Sequence, residues 1–323
     1  MTALIDRYRG SLPVTAGTPV VSLGEGSTPL LRAPRLSERY GIELWLKWEG
    51  ANPTGSYKDR GMTVAVSKAV EEGAEAVVCA STGNTAASAA AYAARAGVPA
   101  VVLVPEGQVA GAKVAQARML GASVLEARGS FDQALQAVRE LARRGSHALV
   151  NSLNPYRLEG QKTAVFEIVE ELGRLPDAFV IPYGGGGNTT AYAKGLGELG
   201  LGSGLVSAEA ANRPATLASA IRIAEPVHAD EVAGTGATVV TVSDEEIVEA
   251  WHELAASEGV FCEPSSAAGL AAVKRGAATG VVVCTLTGHG LKDTAIAERL
   301  APAATKVDPD PDAIAAAALV TRP

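Results

Sequence analysis

The feature that most constrains this 323-residue chain is an alternation of short β-branched runs with longer Ala-rich stretches of helical period. A strand that is followed by a helix and then by another strand of the same direction needs a crossover connection. The pattern therefore dictates parallel sheets covered by helices, an α/β architecture. Strands are expected at 43–47, 76–80, 100–104, 123–126, 148–150, 178–181, 204–207 and 281–286, with helices at 63–72, 85–96, 112–120, 131–144 and 245–258. Gly73, Gly97, Gly121 and Gly145 each follow a helix where a left-handed closing residue is usual. Four successive strand-plus-helix units between Lys58 and Val150 are enough for a small doubly wound domain. The expected division is a small mobile α/β domain over 52–150 and a large α/β domain built from 1–51 and 151–323. The Pro- and Asp-rich stretch 301–311 reads as a linker, after which Asp312 is expected to cap a short tail helix.

Composition narrows the function classes. Hydrophobic residues make up 47% of the chain but aromatics only 4%, so its cores must be built from small side chains packed closely against parallel strands. The net charge is −7 and no Lys/Arg cluster supplies a basic stripe, so no nucleic-acid partner is expected. The apolar region 86–104 is broken by Ser88, Arg95, Gly97 and Pro99 and reads as helix, turn and strand, so no membrane partner is expected either. Asp6, Arg7 and Arg9 interrupt the opening residues where a secretory leader needs an apolar run, and the expected location is the cytoplasm. Cys79, Cys262 and Cys284 lie far apart, as expected for reduced buried thiols, and His147, His228, His252 and His289 have no metal-pair spacing; no metal is expected.

Five segments carry chemistry. In the first, Gly184, Gly185, Gly186, Gly187 and Asn188 lie between an expected strand and an expected helix, where backbone N–H groups and the helix dipole make a phosphate seat. No Lys or Arg lies between Pro182 and Ala193, so neutral donors must hold that charge. In the second, Pro53 and Gly55 form a turn, Ser56 is expected to cap a helix, and Lys58 falls in its first turn. There the positive end of the dipole disfavours the ammonium form and improves the nucleophile. In the third, Ser81, Thr82, Asn84 and Thr85 surround Gly83 at a strand end, suited to a carboxylate or to simple helix capping. In the fourth, Ser152 and Asn154 precede Arg157, whose planar fork matches a carboxylate or phosphate, or an exposed ion pair. In the fifth, Thr287, Gly288 and His289 follow an apolar strand, at the kind of strand end where open α/β sheets bind ligands.

In this order the segments resemble the fold-type-II pyridoxal-phosphate enzymes: two open twisted α/β domains with the cofactor in the cleft between them. The stretches 24–30, 47–62, 151–163, 213–223, 261–266 and 287–293 resemble the threonine synthases within that group. The resemblance implies that Lys58 holds pyridoxal 5'-phosphate as a Schiff base, that Gly184 to Asn188 bind its phosphate, that Asn84 meets its ring hydroxyl and that Thr287 faces its ring nitrogen. It implies a carboxylate seat at Ser81, Thr82 and Thr85, with Ser152, Asn154 and Arg157 for the phosphate of O-phospho-L-homoserine. The implied products are L-threonine and phosphate, and the implied assembly is a homodimer. The segment 208–213 is shorter than in the threonine synthases, and effector regulation of the kind found in plant forms with a long N-terminal extension is not expected. A serine/threonine dehydratase or a cysteate synthase on the same scaffold, and a noncatalytic binding protein that kept the fold, are the alternatives.

Overall fold

Two sheets organise the chain in the computed structural model, which describes residues 2–107, 112–129, 131–202 and 204–320. The described strands are β1 (Leu30–Arg32), β2 (Glu43–Trp48), β3 (Ala76–Ala80), β4 (Ala100–Pro105), β5 (Ser123–Ala127), β6 (His147–Leu149), β7 (Ala178–Pro182), β8 (Leu205–Ala210), β9 (Thr238–Val242) and β10 (Val281–Leu286). One sheet has the order β1-β2-β10-β7-β8-β9 and the other β5-β4-β3-β6. Every pairing is parallel except β1 with β2. Both sheets lie within the unit Met1–Asp293.

The strands expected from the sequence all form, 76–80 and 281–286 with the expected ends and the others with ends shifted by at most three residues, while β1 and β9 are additions at the two edges of the larger sheet. Gly73, Gly97, Gly121 and Gly145 have φ of 77°, 72°, 86° and 95°, the left-handed values that close the four preceding helices. A separate unit, Thr294–Pro323, carries the helices Thr294–Leu300 and Pro311–Val320. Its cap differs from expectation. Asp310, not Asp312, accepts from the Ala313 N–H at 2.9 Å, because Pro311 takes the first helical position and moves the cap one residue before it.

Small residues build the core around the four-stranded sheet as the composition requires. Val77, Cys79, Val102 and Val104 pack against Ala86, Ala89, Ala90 and Ala93 of the helix Asn84–Ala96 and against Met62, Ala65 and Val66 of the helix Lys58–Glu71. The larger sheet has its own cluster, in which Phe179, Ile181, Leu205 and Val283 meet Val165, Ile168 and Tyr192.

A buried ionic knot ties the Lys58–Glu71 helix to both neighbours. Arg60 donates to Glu49 (Nε–Oε2 2.7 Å) beside β2 and to Glu167 (Nη2–Oε2 2.6 Å) on the helix Pro155–Leu172. Lys47 reaches the same Glu167 at 3.1 Å. Burial by itself raises a carboxyl pKa, but the Arg60 and Lys47 cations outweigh it and hold Glu167 down at about 2. Arg60 lies two residues beyond Lys58, so this knot fixes where the helix, and with it Lys58, begins.

Candidate active site

The strand order explains why distant segments meet. Strands β2, β10 and β7 are adjacent and parallel, so the chain leaves all three at one edge of the sheet. From β2 it runs to Lys58, from β10 to Thr287 and from β7 to the glycine loop. In the smaller sheet β3 and β6 are likewise parallel neighbours, and their carboxyl ends lead to Ser81–Thr85 and to Asn151–Ser152. These five exits line one cavity of about 710 Å³. Lys58, Ser81, Thr82, Asn84, Thr85, Ser152, Gly184, Gly185, Gly186, Gly187, Asn188 and Thr287 are all in its wall.

Backbone pairing secures the start of the lysine helix. Tyr57 N donates to Thr287 O at 3.0 Å, His289 N donates to Gly55 O at 2.9 Å, and Ser56 bridges Gly288. The cap expected at Ser56 does not form. The helix starts at Lys58, the cap position falls to Tyr57, and Ser56 Oγ is buried with no hydrogen-bond partner among the described residues. Lys58 does stand in the first turn, and its Nζ lies 2.6 Å from Tyr57 Oη.

The glycine loop has the shape of an anion cradle. Gly186 has φ 90° and precedes the helix Gly187–Glu198, with no side chain capping that helix. A Cβ at Gly184 would come within 3.1 Å of the Ile221 backbone, and one at Gly186 within 3.0 Å of His228 Cβ. Beside these free N–H groups the buried Asn188 Nδ2 finds no partner among the described residues. A phosphate group is the kind of acceptor that would satisfy such donors.

The helix Asn84–Ala96 likewise begins without a side-chain cap, leaving N–H groups beside Ser81, Thr82 and Thr85 for a carboxylate. Asn84 gives its Nδ2 to both oxygens of Glu263 (3.0 and 3.2 Å), and its buried Oδ1 has no partner among the described residues. Glu263 is itself buried and 3.3 Å from Lys113 Nζ. Thr287 Oγ1 lies 3.1 Å from Ser266 Oγ, a neutral pair at the end of β10. Nearby Lys292 is pushed down to about 8 by burial, against the pull of Glu263 and Asp59.

Two of the expected residues lie off the cavity wall. Asn154 caps the helix Pro155–Leu172, accepting from Tyr156 N at 2.9 Å and donating to Leu149 O at 2.7 Å. Arg157 is fully buried. Its Nη1 donates to Val150 O at 3.0 Å, while Nε and Nη2 find no partner among the described residues. Burial lowers its pKa. The wall also includes residues that sequence reasoning passed over: Tyr57, Asn151 and Gln161. Asn151 joins the two strand exits of the smaller sheet by accepting from Ala80 N (2.9 Å) and donating to Ala80 O (2.8 Å). All three, like Glu263, fall inside stretches already singled out, whereas Lys113 reaches the site only through the fold.

Comparison with known proteins agrees with this geometry. The family model described as pyridoxal-phosphate dependent enzyme matches residues 21–288. A threonine synthase of Halalkalibacterium halodurans is 47% identical over 316 residues, covering 90% of this chain and 89% of that protein. One from Synechocystis sp. is 50% identical and covers 90% and 83%; one from Methanocaldococcus jannaschii is 44% identical and covers 94% and 84%. Among solved structures, maize serine racemase matches with a TM-score of 0.78 at 20% identity, covering 93% of this chain and 97% of that one. The processed form of threonine deaminase isoform 2 from Solanum lycopersicum matches with a TM-score of 0.76 at 22% identity, covering 92% and 88%. With its two largely parallel sheets, its glycine cradle and a lysine at the shared edge, this chain belongs to the pyridoxal-phosphate-dependent enzymes and, within them, to the threonine synthase family.

Proposed function

We propose that the chain converts O-phospho-L-homoserine and water to L-threonine and phosphate, with Lys58 as the residue that carries pyridoxal 5'-phosphate. One observation supports this above the others: a single cavity offers an amine, a glycine cradle shaped for a phosphate, with Arg213 donating to Gly184 O at 3.1 Å, and a second set of helix-start N–H groups. These are the parts needed to hold the cofactor and an amino-acid carboxylate side by side.

In this reading Gly184 to Gly187 and Asn188 hold the cofactor's phosphate, Asn84 meets its ring hydroxyl, and Thr287 faces its ring nitrogen as a neutral hydroxyl. When bound, the cofactor supplies an electron sink for the charge left at the substrate's α-carbon. Lys58 Nζ takes the α-proton and later returns a proton to substrate carbon, base and acid in turn. Ser81, Thr82 and Thr85 orient the carboxylate. Ser152, on the cavity wall, serves the leaving phosphate together with Arg157, while Asn154, whose side chain is spent on the helix cap, holds that segment in place. The two unpartnered nitrogens of Arg157 support its share of that task, since a buried guanidinium left partly unsatisfied calls for an anionic partner.

Residues 52–150 act as a mobile lobe that closes over the substrate. The protein works as a homodimer in the cytoplasm, without nucleic-acid or membrane partners; among the described residues no helix is long and apolar enough to cross a membrane. Incubation of the holoenzyme with O-phospho-L-homoserine, threonine, serine, or phosphoserine plus sulfite separates the candidates. Threonine and phosphate formed only from the first is the expected result. Dominant 2-oxoacid release from threonine or serine would make the protein a dehydratase, and sulfite-dependent phosphate release a cysteate synthase.

A further inference from the structure

Lys58 has a partner that the family reading does not use. Its Nζ sits 2.6 Å from Tyr57 Oη and 4.3 Å from the centroid of the same ring. Side chains of consecutive helical residues normally point apart. The contact arises here because Tyr57 stands at the cap, with φ −56° and ψ −14°, and Lys58 is the first helical residue. The Tyr57 N–H bond to Thr287 O holds this turn in place. Both side chains are half-buried and line the same cavity.

On the reading given above, Lys58 Nζ becomes a free amine whenever a substrate amine takes its place on the cofactor. We propose that Tyr57 is a further catalytic residue, whose hydroxyl keeps the released Lys58 Nζ in place through both of its proton states. This rests on the reading of Lys58 given above. When the substrate's Cα–H bond breaks, an N–H bond forms at Nζ and the electron pair stays with the substrate. No proton leaves the phenol. Its hydroxyl donates to the neutral amine before the transfer and, after rotation about the C–O bond, accepts from the ammonium. A phenol suits this because it has both a donor and an acceptor, and because the ring faces a cation whichever way the hydroxyl turns. Without it, the four-carbon stem of the lysine would have to be aligned afresh for each transfer.

Tyr57→Phe removes the oxygen and keeps the ring, so the ring contact and the fold are preserved. The assay follows exchange of the α-proton of L-2-aminobutyrate, which has no leaving group, by NMR in D₂O across a range of pH. A second measurement follows acetylation of Lys58 in the cofactor-free full chain by peptide mass. Relative to wild type, the variant should bind cofactor normally, exchange about tenfold more slowly or worse, and show an altered pH profile. Its Lys58 should acetylate several-fold faster, since the amine has lost its hydrogen bond. Exchange with unchanged rate and pH profile would overturn the role of Tyr57 alone. Loss of cofactor from the variant would overturn it too, by making the hydroxyl a support of the resting site. Absence of exchange in the wild-type holoenzyme would remove the reading of Lys58 and Tyr57 together.

Discussion

Gly160→Ala is a one-methyl change that tests how the site is held. Gly160 lies on the helix Pro155–Leu172 where it crosses the helix Lys58–Glu71. A Cβ there would fall 1.9 Å from the Arg60 carbonyl oxygen, 2.6 Å from its carbon and 2.8 Å from Gly61 Cα. The approach is reciprocal, for a Cβ at Gly61 would lie 2.6 Å from the Arg157 carbonyl oxygen. Every obstacle is backbone, so no side chain can swing away. Moving from 1.9 Å to the 3.4 Å at which ordinary contact begins means parting the helices by about 1.5 Å. Overpacking of this kind costs about 1–3 kcal/mol, and backbone on both sides puts this case at the upper end, about 3 kcal/mol. With a urea slope of about 3 kcal/mol/M, the unfolding midpoint should drop by roughly 1 M. The displaced helix begins with Lys58, so cofactor retention should fall as well. Gly197→Ala is the matched control: it is an exposed helical glycine with nothing within 4 Å of an added Cβ, and helix propensity predicts a gain of up to about 1 kcal/mol. Equal midpoints for the two variants would refute the close-packing argument.

Other perturbations probe separate parts of the site. Gly185→Asp should abolish cofactor retention, measured by absorbance of the purified protein. The added Cβ meets only side-chain ends of Ile223 and Val227 at 3.4 Å, so the effect should come from the carboxylate's charge, and Gly185→Ala should retain far more cofactor. Arg157→Ala should keep its cofactor and lose about two to three decades of kcat/KM for O-phospho-L-homoserine, equivalent to about 2–5 kcal/mol; near-normal kinetics would remove Arg157 from the reaction. Asp59, fully buried between Thr54 and Ser88, is raised to about 6 mainly by burial, above its unfolded value of 3.8. The folded state then holds this proton more tightly, so its effect favours folding at low pH and is lost as pH rises from 3.8 through about 6. Asp59→Asn should gain up to about 3 kcal/mol on wild type between pH 4 and pH 7, read from urea midpoints at both; parallel pH dependences would contradict it.

Where the sequence was readable, the information was local. β-branched runs such as Val281-Val-Val283 and glycine after each helix declare parallel strands and their connections without help from the rest of the chain. The loops that line the cavity were readable for the same reason: each is a strand exit followed by a helix start. Strand β1 is only three residues long and exists because β2 is there to pair with, so nothing within 30–32 announces it. Glu263 lies in the stretch 261–266 noted from the sequence, but its contact with Asn84 was hidden, since it spans 179 residues and depends on the position of the helix Pro264–Lys274. Arg157 was read from its polar neighbours as a fork open to an anion or an exposed ion pair, yet it is fully buried, on a helix that packs its Gly160 face directly on the lysine helix. Tyr57 was visible as a letter beside Lys58, but residues at adjacent positions share a contact only at a helix start such as this one.

The account depends on Lys58 being the residue that carries the cofactor. Borohydride reduction of the purified holoenzyme, followed by peptide mass mapping, fixes the pyridoxyl group wherever it is attached. The expected result is a single modified peptide containing Lys58, absent from Lys58→Ala protein that still folds. A pyridoxyl group on Lys47, Lys113, Lys162 or Lys292 instead would contradict the account at its centre, because each of those lysines is buried by protein contacts in this structure.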